Sequence, residues 1–243
     1  DALKRLGRFM EDGHVLFDIL LDEQILARGN DYPLLVLPAI ARLTPAEGDF
    51  LRACVARGAR LVFTAETGTA DADGTPYAAG LLADWQASAP AGVCGLPARD
   101  WSPPVIELKP DVQIPVHPIA QHDAFGREFL ETLSAKLEPA WLYTDAPWFV
   151  RVRAWKPAQI NALVLHWVNY RQDEHSDIEV PEPVGPLSVQ CAIAEGARVT
   201  KVEWLYPEKR EAVELPHEVR ADRVHFTIPS LIVYGLSVVH LDE

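Results

Sequence analysis

Glu66, Thr67, Asp71 and Asp73 lie together in one short segment, ETGTADADG. Carboxylates and a hydroxyl at this spacing could serve a cation, a sugar or a paired-carboxylate hydrolysis. An EF-hand loop needs further oxygen ligands and a closing glutamate, and the closing position here falls at Gly80. Two acids on one loop also do not define opposite faces of a sugar ring. The segment therefore reads as a solvated or interfacial loop, a candidate interface or ligand loop rather than a catalytic pair.

The other reactive side chains are scattered. Cys54, Cys94 and Cys191 are far apart and form no CxxC pair, which argues against a disulfide framework and for a reducing, cytoplasmic setting. Cys54 sits on an apolar helical stripe, as a core residue does. Cys94 falls in a Gly/Pro-bounded loop without the strand-to-helix turn that activates a nucleophile. His117 and His122 flank Pro118 and lack a third ligand at useful spacing. His166 reads as a half-buried strand residue. The run Asp173-Glu174-His175-Ser176-Asp177 is dense in ligand types but reads as a hairpin connection. No catalytic residue, metal or cofactor is expected.

The elements around the loop explain its position. Leu34 to Leu37 is a short apolar run closed by Pro38, which suits a strand buried on both faces. Thr44, Pro45 and Glu47 spell an N-cap, a first helical position and a capping box. Phe50, Leu51, Cys54 and Val55 continue as a helical stripe, and Gly58 ends it. Leu61 to Phe63 is the next buried strand. A strand, a crossover helix and a second strand imply parallel pairing with a right-handed connection. Glu66-Thr67-Gly68 then occupies the carboxyl edge of the sheet, where α/β proteins place ligands and nucleophiles.

Upstream, Ala2 to Glu11 reads as an amphipathic helix with Leu3, Leu6 and Met10 on one side, Val15 to Leu20 as a strand, and Asp22 to Ala27 as a short helix. Downstream, a helix is expected within Tyr77 to Gln86, an extended piece at Val105 to Leu108, and a helix over His122 to Leu137 carrying Phe125, Phe129, Leu130, Leu133 and Leu137. After Pro139 the period changes to two. Phe149 to Trp155, Ile160 to Tyr170, Leu187 to Ala194, Val199 to Tyr206, Ala212 to Leu215, Val224 to Ile228 and Leu231 to Leu241 read as strands of a sandwich. Two domains are expected, 1–139 and 140–243, in a class of α/β plus all-β. Trp141, Trp148, Trp155, Trp167 and Trp204 are expected mainly to fill the core or a seam between domains; exposed, they would stack on sugars.

Composition bounds the partners. The 243 residues carry a formal net charge of -13 with 23% charged residues. No Lys/Arg cluster exists to neutralise phosphates, so nucleic acid is excluded as a partner. No apolar run reaches the roughly 20 residues needed to span a bilayer. The sequence opens at Asp1, without a methionine and within a helical pattern, so a trimmed chain, a processed product or a fragment of something longer is expected.

LLVLP (Leu34 to Pro38), the TPAE-to-ARGARL passage (Thr44 to Leu61) and the ETG loop with its acidic continuation resemble the β-galactosidase trimerisation domain of bacterial glycoside-hydrolase-like proteins. LVLHWVNY (Leu163 to Tyr170) and IPSLIVYGLSVVHL (Ile228 to Leu241) are similar to strands of the terminal sandwich of such proteins. The resemblance implies a flavodoxin-like, class I glutamine-amidotransferase-like parallel sheet with flanking helices, followed by a small antiparallel β-sandwich. It also implies a catalytic (β/α)8 barrel upstream, which needs about 250 residues of its own and cannot fit here. The implied role is non-catalytic: self-association, with a trimer among the options, and assembly of an active-site rim. Two alternatives stay open: a carbohydrate-binding module using exposed tryptophans, and a free-standing hydrolase or amidotransferase acting through Cys94.

Overall fold

The computed structural model describes residues 1–103, 105–109, 112–115, 118–171, 180–207, 209 and 211–242, with backbone alone for 106–109 and 112–115. His117 and the run from Asp173 to Asp177 lie outside the described residues. The chain divides into two compact units. One comprises Asp1–Arg8 and Asp18–Glu138, the other Phe9–Phe17 and Pro139–Glu243.

The first unit is α/β. Helix α1 (Ala2–Asp12) opens the chain and contributes residues to both units. Ala2, Leu6, Phe9 and Met10 form its buried face, whereas Leu3, expected on that face, is 46% exposed. Helix α2 (Asp22–Arg28) starts where the Gln24 side chain accepts a hydrogen bond from the Leu21 N–H. A 3-10 turn (Gly29–Asp31) leads into β1 (Leu34–Leu37). Helix α3 (Pro45–Ala56) carries the full capping box: Thr44 accepts from the Glu47 N–H, and Glu47 accepts from the Thr44 N–H. Gly58 follows at φ +102, the left-handed geometry that stops a helix without a Cβ penalty.

Strand β2 (Arg60–Thr64) pairs in parallel with β1, Leu35 opposite Leu61 and Leu37 opposite Phe63. Helix α4 (Ala83–Ser88) is shorter and later than the expected Tyr77 to Gln86. Strand β3 (Val93–Leu96) completes a parallel sheet of order β1-β2-β3. Leu61, Val62 and Phe63 are all buried, so the central strand is covered on both faces. Leu51 and Cys54 of α3 join Leu35, Leu37, Leu61 and Phe63 in one core. Strands β4 (Val105–Lys109) and β5 (Val112–Pro115) pair with each other in a two-stranded sheet. After a 3-10 turn (Ala120–His122), helix α5 (Ala124–Leu137) buries Phe125, Phe129 and Leu133. Asp123 caps it, accepting from the Gly126 N–H at 3.0 Å.

The second unit is two antiparallel sheets. Its strands are β6 (Leu142–Thr144), β7 (Val150–Trp155), β8 (Ala162–Asn169), β9 (Leu187–Ala192), β10 (Arg198–Leu205), β11 (Val213–Leu215), β12 (His217–Arg220), β13 (Arg223–Ile228) and β14 (Tyr234–Asp242). Five strands run in the order β11-β10-β14-β8-β7 and four in the order β12-β13-β9-β6. One face of each sheet supplies a shared core, with Val152, Leu165, Trp167 and Trp204 from the first meeting Val189, Cys191, Phe226 and Ile228 from the second. Full burial of large apolar side chains contributes about 2–3 kcal/mol each. The Trp167 indole N–H donates to the buried Ser237 hydroxyl at 2.8 Å, so its polar edge is satisfied.

Val15 to Leu20, expected as a strand, has no ladder partner and is irregular. Its side chains are used without a sheet: Leu16 packs on the sandwich core, and the His14 ring Nε2 lies 3.0 Å from the Val150 carbonyl.

Candidate functional site

Glu66 stands in the turn that follows β2, at the carboxyl end of the parallel sheet. The turn is closed by the Thr67 N–H donating to the Thr64 carbonyl at 2.9 Å. Gly68 follows at φ +69, where an added Cβ would lie 3.3 Å from Leu43 and 3.4 Å from Leu81. A side chain there would be both strained and crowded, which explains the ETG pattern by backbone geometry.

The hydroxyls of this turn face inward. Thr64 is fully buried and accepts from the Ala39 N–H at 3.0 Å. Thr67 is 3% exposed and donates to the Leu37 carbonyl at 3.2 Å, which ties the turn to β1. Glu66 Oε1 accepts from the Arg99 N–H at 3.1 Å and from the Trp101 indole at 3.2 Å. Desolvation pushes its carboxyl upward, but the nearby Thr64 hydroxyl and the hydrogen bonds from the Arg99 N–H and the Trp101 indole outweigh that push. They hold Glu66 below the usual carboxylate value. Arg99 in turn lies 3.5 Å over the Phe125 ring, so the carboxylate is framed by α5 and the segment after β3.

Asp71 shapes the rest of the loop. Its Oδ1 accepts from the Asp73 N–H at 3.0 Å and the Thr75 N–H at 2.8 Å, an Asx-type turn that positions Gly74 at φ +88. Asp73 is exposed. Of the four candidate side chains, then, Thr67 and Asp71 hold backbone, Glu66 binds its own chain, and Asp73 faces solvent. Arg99 and Trp101 are the partners that sequence reasoning missed, because nothing local links them to a turn 33 and 35 positions earlier.

The thiols are placed away from this turn. Cys54 is buried in α3, donates to Asn30 at 3.3 Å, and has its pKa raised by burial. Cys191 lies in the sandwich core, its thiol pushed up to about 12 by burial. Cys94 lies in β3, opposite Val62, and not in the loop expected from its Gly and Pro neighbours; β2 supplies a ladder that fixes it as a strand. Among the described residues no imidazole is hydrogen-bonded to Thr64, Glu66 or Thr67, and no group of three metal-ligating side chains occurs. His122 ends a 3-10 turn, and His166 pairs with the Tyr234 hydroxyl at 2.7 Å.

The tryptophans divide sharply. Trp167 and Trp204 are buried, as core packing requires, but Trp141 is 38% and Trp155 60% exposed, against the expectation that they pack inside. No described helix is long and apolar enough to cross a membrane.

No family model and no curated protein matches the chain. Solved structures do match its fold. Over 97% of this chain and 44% of the other, the alpha-L-fucosidase isoenzyme 2 from Paenibacillus thiaminolyticus is similar with a TM-score of 0.61 at 17% identity. A catalytic mutant of a GH42 β-galactosidase from G. stearothermophilus is similar with a TM-score of 0.53 at 17% identity, over 98% of this chain and 35% of that one. A β-galactosidase from Bacillus circulans sp. alkalophilus gives 0.52 at 10% identity, over 98% and 38%. The chain thus spans less than half the length of each of these proteins. What it shares with these glycoside hydrolases is a fold: a mixed α/β arrangement with a three-stranded parallel sheet and antiparallel sheets, reproduced across nearly the whole of this chain.

Proposed function

We propose that the chain is a non-catalytic region of a glycoside-hydrolase-like, carbohydrate-active protein. Its α/β unit, flavodoxin-like in plan and similar to a trimerisation domain, serves self-association and shapes the rim of an active site carried by another domain. One observation carries this reading. At the sheet edge where a nucleophile would stand, Glu66 Oε1 is taken up by the Arg99 N–H and the Trp101 indole of its own chain, and Oε2 is buried without a hydrogen bond to the described residues. A group held ionised by fixed donors stabilises a turn; it is not poised to exchange a proton near neutral pH. The three free cysteines, two of them buried, agree with a cytoplasmic setting.

Two measurements test it. The purified chain should release no aryl alcohol from a panel of aryl-glycosides; turnover abolished by Glu66→Ala would overturn the non-catalytic reading. Sedimentation velocity should show concentration-dependent self-association, and a monomer at every concentration would remove the oligomerisation role.

A second reading, sugar binding through exposed tryptophans, is favoured by the 60% exposure of Trp155 on a sheet face. The amidotransferase alternative loses its support from Cys94, which is a strand residue paired with β2 rather than a thiol on a strand-to-helix turn.

A further inference from the structure

The five-stranded sheet has a second face, turned away from the sandwich core. Cross-strand pairing places Trp155, Val164, Val238 and Glu203 in a single row running over β7, β8, β14 and β10. Val164 and Val238 are 7% and 9% exposed and form a closed apolar floor with Ala162. Three interstrand steps of about 4.8 Å put Trp155 and Glu203 about 14 Å apart at either side of that floor.

Each side carries built chemistry. On one, Trp155 lies 6.4 Å from the His166 ring, which lies 6.1 Å from the Tyr234 ring, so three rings from three adjacent strands form a diagonal row, each tilted against the next by 34° and 47°. His166 Nδ1 and the Tyr234 hydroxyl are 2.7 Å apart. Whichever of them carries the shared proton, the pair keeps one further donor: the Nε2–H in one tautomer, the phenol O–H in the other. On the other side, Glu203 accepts from Lys201 at 2.9 Å and pairs with His240 at 2.6 Å.

We propose that this face binds a neutral saccharide of two or three rings, stacked on Trp155 and hydrogen-bonded at its ends by the His166–Tyr234 pair and by Glu203. The proposal deepens the second reading above by naming the site and the ligand class. A pyranose ring offers an apolar C–H face and a rim of hydroxyls that donate and accept. The exposed Trp155 ring offers an electron-rich face, and the His166–Tyr234 pair and Glu203 offer donors and acceptors to match. Charge argues against an anionic ligand: the chain carries a net charge of -13, and the two cations this row meets, Lys201 and Arg153, are engaged by Glu203 and by Glu11. The floor argues against a protein partner, because Ala162, Val164 and Val238 are already covered, only Leu205 and Leu236 beside them stay partly open, and the largest open apolar surface is the Trp155 ring.

The test is affinity electrophoresis of the full chain through gels cast with a β-1,4-galactan, a xyloglucan or a mixed-linkage β-glucan, with alginate as the anionic control. At least one neutral polymer should retard the chain and alginate should not. Trp155→Ala should weaken retardation about tenfold, the scale of one aromatic stacking contact. Because Trp155 is largely exposed, the variant should keep the wild-type circular dichroism spectrum; Glu203→Gln supplies an independent second variant. Retardation that survives both substitutions would overturn this site while leaving sugar binding in place. No retardation by any neutral polymer would overturn the site and the second reading together. Retardation by alginate alone, or loss of self-association in Trp155→Ala without any retardation of the wild type, would assign the face to another partner and overturn the proposal.

Discussion

Glu66 illustrates what a single residue can and cannot announce. Its place after a buried strand marks it as the residue at the sheet edge, and the sequence TPAE-to-ETG makes that place readable. Its partners are not readable, because Arg99 and Trp101 reach it only when the chain folds back across the sheet edge. The carboxyl is held below its ordinary value by those donors and the Thr64 hydroxyl, against the upward push of burial. The sign follows directly. The folded state favours the ionised form, so the stabilisation is fully present above the unfolded-state carboxylate pKa and is lost as pH falls through the lower folded value. Glu66→Gln removes the charge from hydrogen bonds worth about 1–2 kcal/mol at neutral pH. Urea midpoints of the variant should therefore lie below wild type near pH 7 and converge with it as pH falls below the usual glutamate range. A gap between the two that stays constant over this range would show that the carboxylate does not titrate with folding.

At the scale of elements, the period-two runs after Pro139 locate the long strands, since alternation is a direct image of one buried face. Three short strands escape, although Val213–Leu215, equally short, is legible. Leu142–Thr144 and His217–Arg220 have too few residues to show a period, and Val93–Leu96 is disguised by flanking Gly and Pro. Each becomes a strand because a neighbour offers an open ladder, which is tertiary context rather than local preference. The false strand at Val15 to Leu20 is the converse: apolar residues with no ladder to join. Gly235 in β14 shows a further element-scale constraint, because a glycine inside a strand marks a close approach. A Cβ there would stand 2.2 Å from the Trp204 ring, which is itself 1% exposed and cannot move aside. Gly235→Ala should cost about 3 kcal/mol by overpacking, read as a lower urea midpoint by tryptophan fluorescence. An unchanged midpoint would mean that the indole repacks freely.

At the scale of the whole molecule, the sheet unit is discontinuous, drawing Phe9–Phe17 from far upstream. Hydrophobic pattern along the chain cannot reveal such a union; what carries it is charge and packing across 139 positions. The Asp12 side chain is wholly buried at the end of α1, and Arg151 Nη2 donates to it at 2.6 Å. A carboxylate at a helix C-terminus is disfavoured by the helix dipole, so this one depends on its cation. Arg151 also donates to the Trp148 carbonyl and lies 3.7 Å from Glu11, and Glu11 pairs with Arg153. The upstream segment is thus tied to β7 by a small ionic network as well as by Leu16 in the core. Arg151→Met keeps most of the side chain's volume but strips the guanidinium from a buried carboxylate, a loss of about 3 kcal/mol. Adding Asp12→Leu should recover most of that loss, since an apolar pair replaces a buried ion pair at little cost. Fluorescence of the core residues Trp167 and Trp204 reports unfolding of this unit under urea. A single variant within about 0.5 kcal/mol of wild type, or a double variant no better than the single, would show that the segment is held by apolar contacts and that the ion pair is incidental.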